Sequence, residues 1–260
     1  MTNPLIHIAL SGIDVLQNKL NASIHNITNG TTEGYKSIDV ISSDSGYRTQ
    51  RSAGSPLDQN NNSPTGIQYG TGTKVIATER NFTAGPTKLT GDEMHVAISG
   101  QGFFQVERAG GFAYTRAGRL QKKDGLLTNE SGLPLDPPIT IPDNLDELII
   151  SGDGTITAKI RGEEDLVELG QLVLFNFSNP NGLKAIGDNL YLETSASGGA
   201  MEMDAGDGMS DVIKHKCLEE SNVNSFAELI KIMPITDLIK AISNAIKMCE
   251  ETNKYIIEHS

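Results

Sequence analysis

The sequence predicts a mainly β fold with α-helical termini: an antiparallel β-barrel or sandwich body flanked by N- and C-terminal coiled-coil-like helices. Three observations predict it. From Ile6 the positions Ile6, Ala9, Ile13, Leu16, Leu20, Ser23 and Ile27 step by alternating threes and fours. Near the other end Ile235, Leu238, Ile242, Ala245, Cys249, Thr252 and Ile256 do the same. Such spacing keeps one side of a helix apolar and makes a seam for another helix. The long middle carries no stripe. It is rich in Gly, Asn, Thr and short apolar runs, which read as strands.

The elements follow in order. Residues 1–36 are read as an N-terminal helix and turn, with the helix over 4–28 and Pro4 in its first turn. Asn29-Gly30-Thr31-Thr32-Glu33-Gly34 ends it, Gly30 being free to take positive φ. Residues 37–65 are read as an extended arm, mobile in the free monomer. Its stretch from Ser42 to Pro64 is polar and includes Gly54-Ser55-Pro56 and Asn60-Asn61-Asn62. Residues 66–195 form the β body, with Lys123-Asp124-Gly125 and Ser151-Gly152-Asp153-Gly154 as hairpin turns. Evenly spaced short strands with such turns suit a barrel or a sandwich. Residues 196–221 are a flexible return, and 222–260 the C-terminal helix, with Ser221 and Asn222 as candidate N-caps.

Pro234 falls between the set Phe226, Leu229, Ile230, Met233 and the later heptad. In a helix interior it removes the bond to the carbonyl of Ile230, at a cost of roughly 3 kcal/mol. The sequence therefore predicts a helix over about 222–232, a bend, and a second helix over about 235–257.

Composition excludes several functions. The 260 residues carry a formal charge of −12 and no cluster of Lys and Arg, which argues against nucleic acid as a partner. Trp is absent and aromatics are 5%, so stacking platforms are poorly supplied. Cys217 and Cys249 give no disulfide framework; one bridge or two reduced thiols are both open, and their apolar surroundings favour thiols. No apolar run approaches the roughly 18 to 20 residues that cross a bilayer. The start lacks a basic region and a cleavage site, so export, if any, is expected to leave the N-terminus uncleaved.

No catalytic, cofactor-binding or metal-binding residue is predicted. Gly100-Gln101-Gly102 lacks the third glycine and the following helix of a phosphate loop; a bulge or close backbone approach explains it better. His215 and Cys217 have no second pair at zinc spacing. Ser99 and Ser131 lack a nucleophile elbow. Glu163-Glu164-Asp165 reads as a solvated loop, and turn roles explain Asp124 and Asp153 better than a glycosidase pair with Glu168.

Seven segments resemble one family. Ser11-Gly12-Ile13-Asp14, Asn26-Ile27-Thr28-Asn29 and Gly34-Tyr35-Lys36 are similar to the N-terminal signature of the bacterial flagellar axial proteins, the rod and hook subunits. Gly100 to Val106 and Tyr114-Thr115-Arg116-Ala117-Gly118-Arg119-Leu120 resemble its core signature. Leu192-Glu193-Thr194 with Ser197-Gly198, and Glu219-Glu220-Ser221-Asn222-Val223-Asn224 followed by Glu228-Leu229, resemble its C-terminal signature. The order is collinear over nearly the whole chain. The length, the segment from Tyr47 to Lys74, and the stretch from Gly170 to Thr194 resemble the distal-rod members most; proximal rod or hook subunits are the near alternative.

The resemblance implies a non-enzymatic structural subunit without cofactors. It implies export through the flagellar type III apparatus and self-association into a helical tube in the periplasm that transmits motor torque. In that tube the terminal helices line the inside and the β body faces outward. The implied neighbours are proximal rod subunits, the hook subunit and basal-body ring proteins. The assembly residues expected are Ile6, Ile13, Leu16, Leu20, Asn26, Ile27, Asn29, Ile235, Leu238, Ile242 and Ile256. Two departures stand out. The family has Ala-Asn-Asn where this chain has Ile24-His25-Asn26. Its Gln-x-x-Arg-x-Tyr-Glu-x-Asn stretch is replaced at matching positions by Pro234, Asp237, Ile239, Lys240 and Ile242.

The stripes could instead pack on one another within one chain. Packing between copies is favoured, because the body has apolar strands enough for its own core. The rival from another class is a β-rich envelope hydrolase or glycan-binding protein, which would need convergent carboxylates or aromatics. An adhesin would need an export signal that the sequence does not show.

Overall fold

A computed structural model describes residues 4–58, 61–162, 165–203, 205 and 212–259. The chain is mainly β with one helix near each end. The first, α1, spans Pro4–Thr28 as its stripe predicts. Gly34 (φ 66°), not Gly30, takes the left-handed conformation after it. The helix needs no glycine at 30, because the Thr32 N–H closes the turn on the Asn29 carbonyl at 3.1 Å. Gly34 is needed twice over: a Cβ there would also lie 2.9 Å from the backbone of Ala117.

The second helix, α2, is one unbroken element over Ser225–His259 with Pro234 inside it. The expected break into two helices is thus overturned. Glu228 is buried, and Ile232, Ile235, Ile239, Ile242, Ile246, Cys249 and Asn253 are half-buried, so one stripe continues in phase through residue 234. Pro234 sits on the exposed side, beside exposed Ile230, where water can satisfy the carbonyl that loses its N–H. The Thr236 hydroxyl donates to the Met233 carbonyl at 2.8 Å in the same turn. The expected N-caps do other work. Ser221 Oγ accepts the Val223 N–H, and Asn222 holds Ser37, both before the helix begins.

The chain divides into two compact units. The first is Met1–Ile27, Ile38–Glu79 and Ser225–Ser260. Beside the helices it holds β1 (Ile38–Asp44), β2 (Tyr47–Arg51), β3 (Pro56–Asp58), β4 (Asn61–Asn62), β5 (Ile67–Gly70) and β6 (Thr73–Arg80). β1 pairs with β6, and β2 with β5, Tyr47 opposite Gly70 and Arg48 opposite Tyr69. The segment read as an extended arm is therefore extended and strand-paired. Gly72 (φ 122°) passes so close to α1 that a Cβ would fall 2.1 Å from Ser11 Oγ. Ser11 Oγ also accepts the Thr73 N–H at 3.2 Å. The two helices meet at Gly12, where a Cβ would lie 3.8 Å from Ile242 Cδ1.

The second unit is Thr28–Ser37 and Arg80–Asn224. Its strands are β7 (Thr87–Leu89), β8 (Val96–Ser99), β9 (Phe103–Arg108), β10 (Gly111–Thr115), β11 (Gln121–Lys123), β12 (Leu126–Thr128), β13 (Leu145–Ile150) and β14 (Thr155–Ile160). They continue with β15 (Leu166–Gln171), β16 (Leu174–Asn176), β17 (Lys184–Gly187), β18 (Leu190–Leu192), β19 (Met201–Met203), β20 (Val212–His215) and β21 (Cys217–Glu219). The largest sheet runs β17-β18-β10-β9-β16-β19; β13-β14-β15 form another, and β11-β12, β20-β8 and β21-β7 are pairs. Both predicted hairpins are present, with Asp124 (φ 52°), Gly125 (φ 78°) and Gly154 (φ 86°) left-handed.

Among the described residues no sheet closes, so the barrel expectation is corrected: the sheets are small and antiparallel. Closure is unnecessary because residues outside the strands fill the core. Leu120, Leu135, Ile139, Ile141 and Leu172 join Val96, Phe104, Val106, Leu148, Ile156 and Leu174 in one apolar cluster. Alternation along β9 sends Phe103 to a second, aromatic cluster with Tyr114, Phe177 and Tyr191. No described helix is long and apolar enough to cross a membrane.

Candidate functional site

The residues that stand out chemically are three buried charges. Arg116 follows β10 inside an apolar and aromatic surround. Its Nε meets Glu219 Oε2 at 3.1 Å, and both side chains are about 1% exposed. Its Nη1 and Nη2 donate to the carbonyls of Gly102 (2.6 Å) and Gly100 (2.8 Å). The glycine-rich turn is thus a cradle of carbonyls for a guanidinium, and Gly100 (φ 147°) supplies the backbone freedom that turns it inward. The Phe103 ring lies 5.7 Å from the same guanidinium.

Glu219 comes from β21. Its Oε1 accepts from Lys36 Nζ at 2.6 Å and from the Gly85 N–H at 2.8 Å. Lys36 Nζ also donates to the Thr83 carbonyl at 2.8 Å. Two cations and one carboxylate leave one net positive charge, spread over three carbonyl oxygens. Burial, then repulsion by Arg116, holds the Lys36 amine below its ordinary 10.5, against the opposing pull of Glu219. Arg80 lies 5.4 Å over the Tyr191 ring nearby, and burial pushes the Tyr191 phenol above its ordinary 10.0.

Neighbouring contacts extend the joint. Asn222 Oδ1 accepts the Ser37 N–H at 2.8 Å, while its Nδ2 donates to the carbonyls of Asn81 (2.8 Å) and Thr83 (3.1 Å). Arg119 grips Glu33 with two donors, Nε at 2.9 Å and Nη2. At Gly118 a Cβ would lie 1.7 Å from the Val96 carbonyl, so only glycine fits. The three stretches Gly34-Tyr35-Lys36, Tyr114 to Leu120 and Glu219 to Asn224 therefore meet in one place. Sequence reasoning singled out the segments but missed this cluster. The available signal was a charge inside an aromatic run, at Arg116.

All the polar atoms of this cluster face partners within the protein, which suits a fixed joint rather than a reaction centre. Among the described residues no group of three or more His, Cys, Asp or Glu could hold a metal. Cys217 and Cys249 are free thiols.

The expected assembly residues fall in several environments. Ile6, Ile13, Leu16, Leu20 and Ile27 are half-buried along α1, as are Ile235 and Ile242 on α2. Asn26 is 1% exposed, and its amide clamps both the N–H and the carbonyl of Ile38 at 2.8 Å. Asn29 is half-buried and accepts from the Thr32 hydroxyl. Leu238 is 51% exposed. The side chain of Ile256 lies outside the described residues. What the stripe did not reveal is a second apolar face on α2: Phe226 (80% exposed), Ile230, Met233, Met248 (67% exposed) and Tyr255 all face away from the half-buried stripe.

Known proteins share this sequence along its length. Residues 97–158 match the family described as flagellar hook protein FlgE/F/G D1 domain. The flagellar basal-body rod protein FlgG of Buchnera aphidicola subsp. Acyrthosiphon pisum (strain APS) is 39% identical over 232 residues, 88% of this chain and 89% of its own. FlgG of Caulobacter vibrioides is 34% identical over 256 residues, 96% of this chain and 98% of its own. FlgF of the same organism is 29% identical over 259 residues, 97% of this chain and 96% of its own. All three are flagellar basal-body rod proteins. The chain belongs to the flagellar basal-body rod protein FlgG family.

Proposed function

We propose that this chain is a structural, non-catalytic subunit of the flagellar basal-body rod, in its distal part. It associates with itself into a helical drive shaft that carries motor torque to the hook. Its neighbours are then proximal rod subunits, the hook subunit and the basal-body ring proteins. It reaches them through the flagellar export apparatus.

The observation that carries this reading is the two-sided apolar character of α2. One stripe is half-buried within the chain. The opposite side offers Phe226, Ile230, Met233 and Met248 to water. A monomer has no use for such a face, and a copy of the chain offers a different set of exposed apolar side chains to cover it, Leu5, Leu10 and Ile24 on α1. An interface of that kind between different patches does not close on itself, so it grows a filament. In the filament α1 and α2 pack in coiled-coil fashion along seams that include Ile6, Ile13, Leu16, Leu20, Ile27, Asn29, Ile235, Leu238, Ile242 and Ile256. Residues 1–36 and 222–260 do the assembling and 66–195 form the body, with β20 and β21 of the stretch 196–221 paired onto it and the strands of 37–65 in one compact unit with the helices.

The test is a charge on the exposed face. Ile230→Asp and Met248→Asp touch side chains that the monomer leaves in water, so circular dichroism should not change. Sedimentation should show polymers of the parent chain and none of the variants. Polymers of normal length from both variants would refute the assignment of this face.

A further inference from the structure

We infer that Glu219 is a closing latch: the β-rich unit cannot close around Lys36 and Arg116 until strand β21 delivers this one carboxylate. The inference stands apart from the rod reading and rests on the charge cluster alone. Lys36 and Arg116 are both fully buried, and the anion they contact is Glu219. Their other partners are the neutral carbonyls of Thr83, Gly100 and Gly102. Everything in the cluster except Glu219 lies earlier in the chain. Without the carboxylate, closure would place two repelling cations among carbonyl dipoles, away from water. Buried charge without a counter-charge is among the costliest arrangements a fold can hold.

The backbone around Glu219 is stitched to the same segments. The Gly34 N–H donates to the Glu219 carbonyl at 2.8 Å, and the Glu220 N–H donates to Pro86 at 2.8 Å. Cys217, Leu218 and Glu219 pair with Leu89, Lys88 and Thr87. At Gly85 a Cβ would lie 2.0 Å from the Glu220 carbonyl, so β21 is seated without slack. The Lys36–Glu219 contact spans 183 positions of sequence. Contacts that close so long a loop carry a large entropic cost, and nothing local to Lys36 or Arg116 can stand in for this one. A chain lacking its C-terminal segment thus keeps an open body, and closure reports that the whole chain has arrived.

The test uses the full chain in three forms: parent, Glu219→Gln, and Lys36→Met/Glu219→Gln. The double variant restores the single net positive charge of the parent cluster. Lys36 is probed with an amine-acetylating reagent and mass spectrometry, with exposed Lys240 as the internal standard. In the parent, Lys36 should be protected. In Glu219→Gln, Lys36 should label at a rate approaching that of Lys240, and refolding should slow by about a hundredfold or more with little change in unfolding. The double variant should regain most of the refolding rate. Three results would overturn the latch. Lys36 stays protected in Glu219→Gln with refolding unchanged. Glu219→Gln speeds unfolding only, so the contact forms after the barrier. The double variant refolds no better than the single one, so lost hydrogen bonds rather than uncompensated charge explain the defect. Should Glu219→Gln fail to fold at all, the double variant decides: a folded one supports the latch, an unfolded one refutes it.

Discussion

Arg116→Met isolates the guanidinium from the rest of the cluster. Methionine fills similar space without polar atoms. The substitution leaves the Gly100 and Gly102 carbonyls without their donors, at about 1–3 kcal/mol each when buried. Glu219 loses one of its three contacts but keeps Lys36 and the Gly85 N–H, so no charge is left uncompensated. Removing a buried cation also relieves repulsion on Lys36. The net expected loss is about 2–4 kcal/mol. Glu219→Gln should cost more, about 3–5 kcal/mol, because it strands two cations. The assay is urea unfolding followed by near-UV circular dichroism, which in a chain without Trp reports the packed rings of Tyr114 and Tyr191. A loss below about 1 kcal/mol for Arg116→Met, or a larger loss there than for Glu219→Gln, would refute this reasoning.

Other substitutions separate the remaining contributions. Gly118→Ala drives a Cβ into the Val96 carbonyl, which no side-chain movement relieves; the β-rich unit should lose about 3 kcal/mol or more by urea unfolding. Pro234→Ala should raise stability slightly and leave helix content nearly unchanged by far-UV circular dichroism, because α2 already runs through that position. Lys36 sheds its proton more easily in the folded chain than in the unfolded one. Its contribution therefore rises with pH in the window below 10.5. Tyr191 acts with the opposite sign. Its raised value lets the unfolded chain ionise first, so its contribution falls as pH passes 10.0. Melting profiles across this range should lose the rising part in Lys36→Met and show a flatter falling part in Tyr191→Phe, the rest of the fall coming from Tyr114, which burial also raises.

Parts of this fold are legible in the sequence for identifiable reasons. The span of α1 follows from a single stripe, and the two hairpins follow from Asp-Gly pairs whose left-handed backbone few other residues accept. The C-terminal helix was harder, because it is apolar on two sides. The phase through Ile235, Leu238 and Ile242 and the phase through Ile235, Ile239 and Ile242 share residues, and the letters alone favour neither. That ambiguity also misdirected the reading of Pro234, whose effect depends on which side faces water. Short strands left barrel and sandwich equally open, since loop residues such as Leu135 and Ile139 fill the core. The charge cluster was missed for a different reason, Arg116 among its aromatic neighbours being the one local sign of it. Lys36, Arg116 and Glu219 follow no local period and are joined only by long-range folding.

The most direct test of the central claim is electron microscopy of the purified, unmodified chain at high concentration. With an outward apolar face on α2 covered by a different patch of a second copy, the expected result is straight tubes of uniform width. A chain that stays monomeric at every concentration, or that closes into discrete dimers, would contradict the claim that this molecule is built to form a shaft.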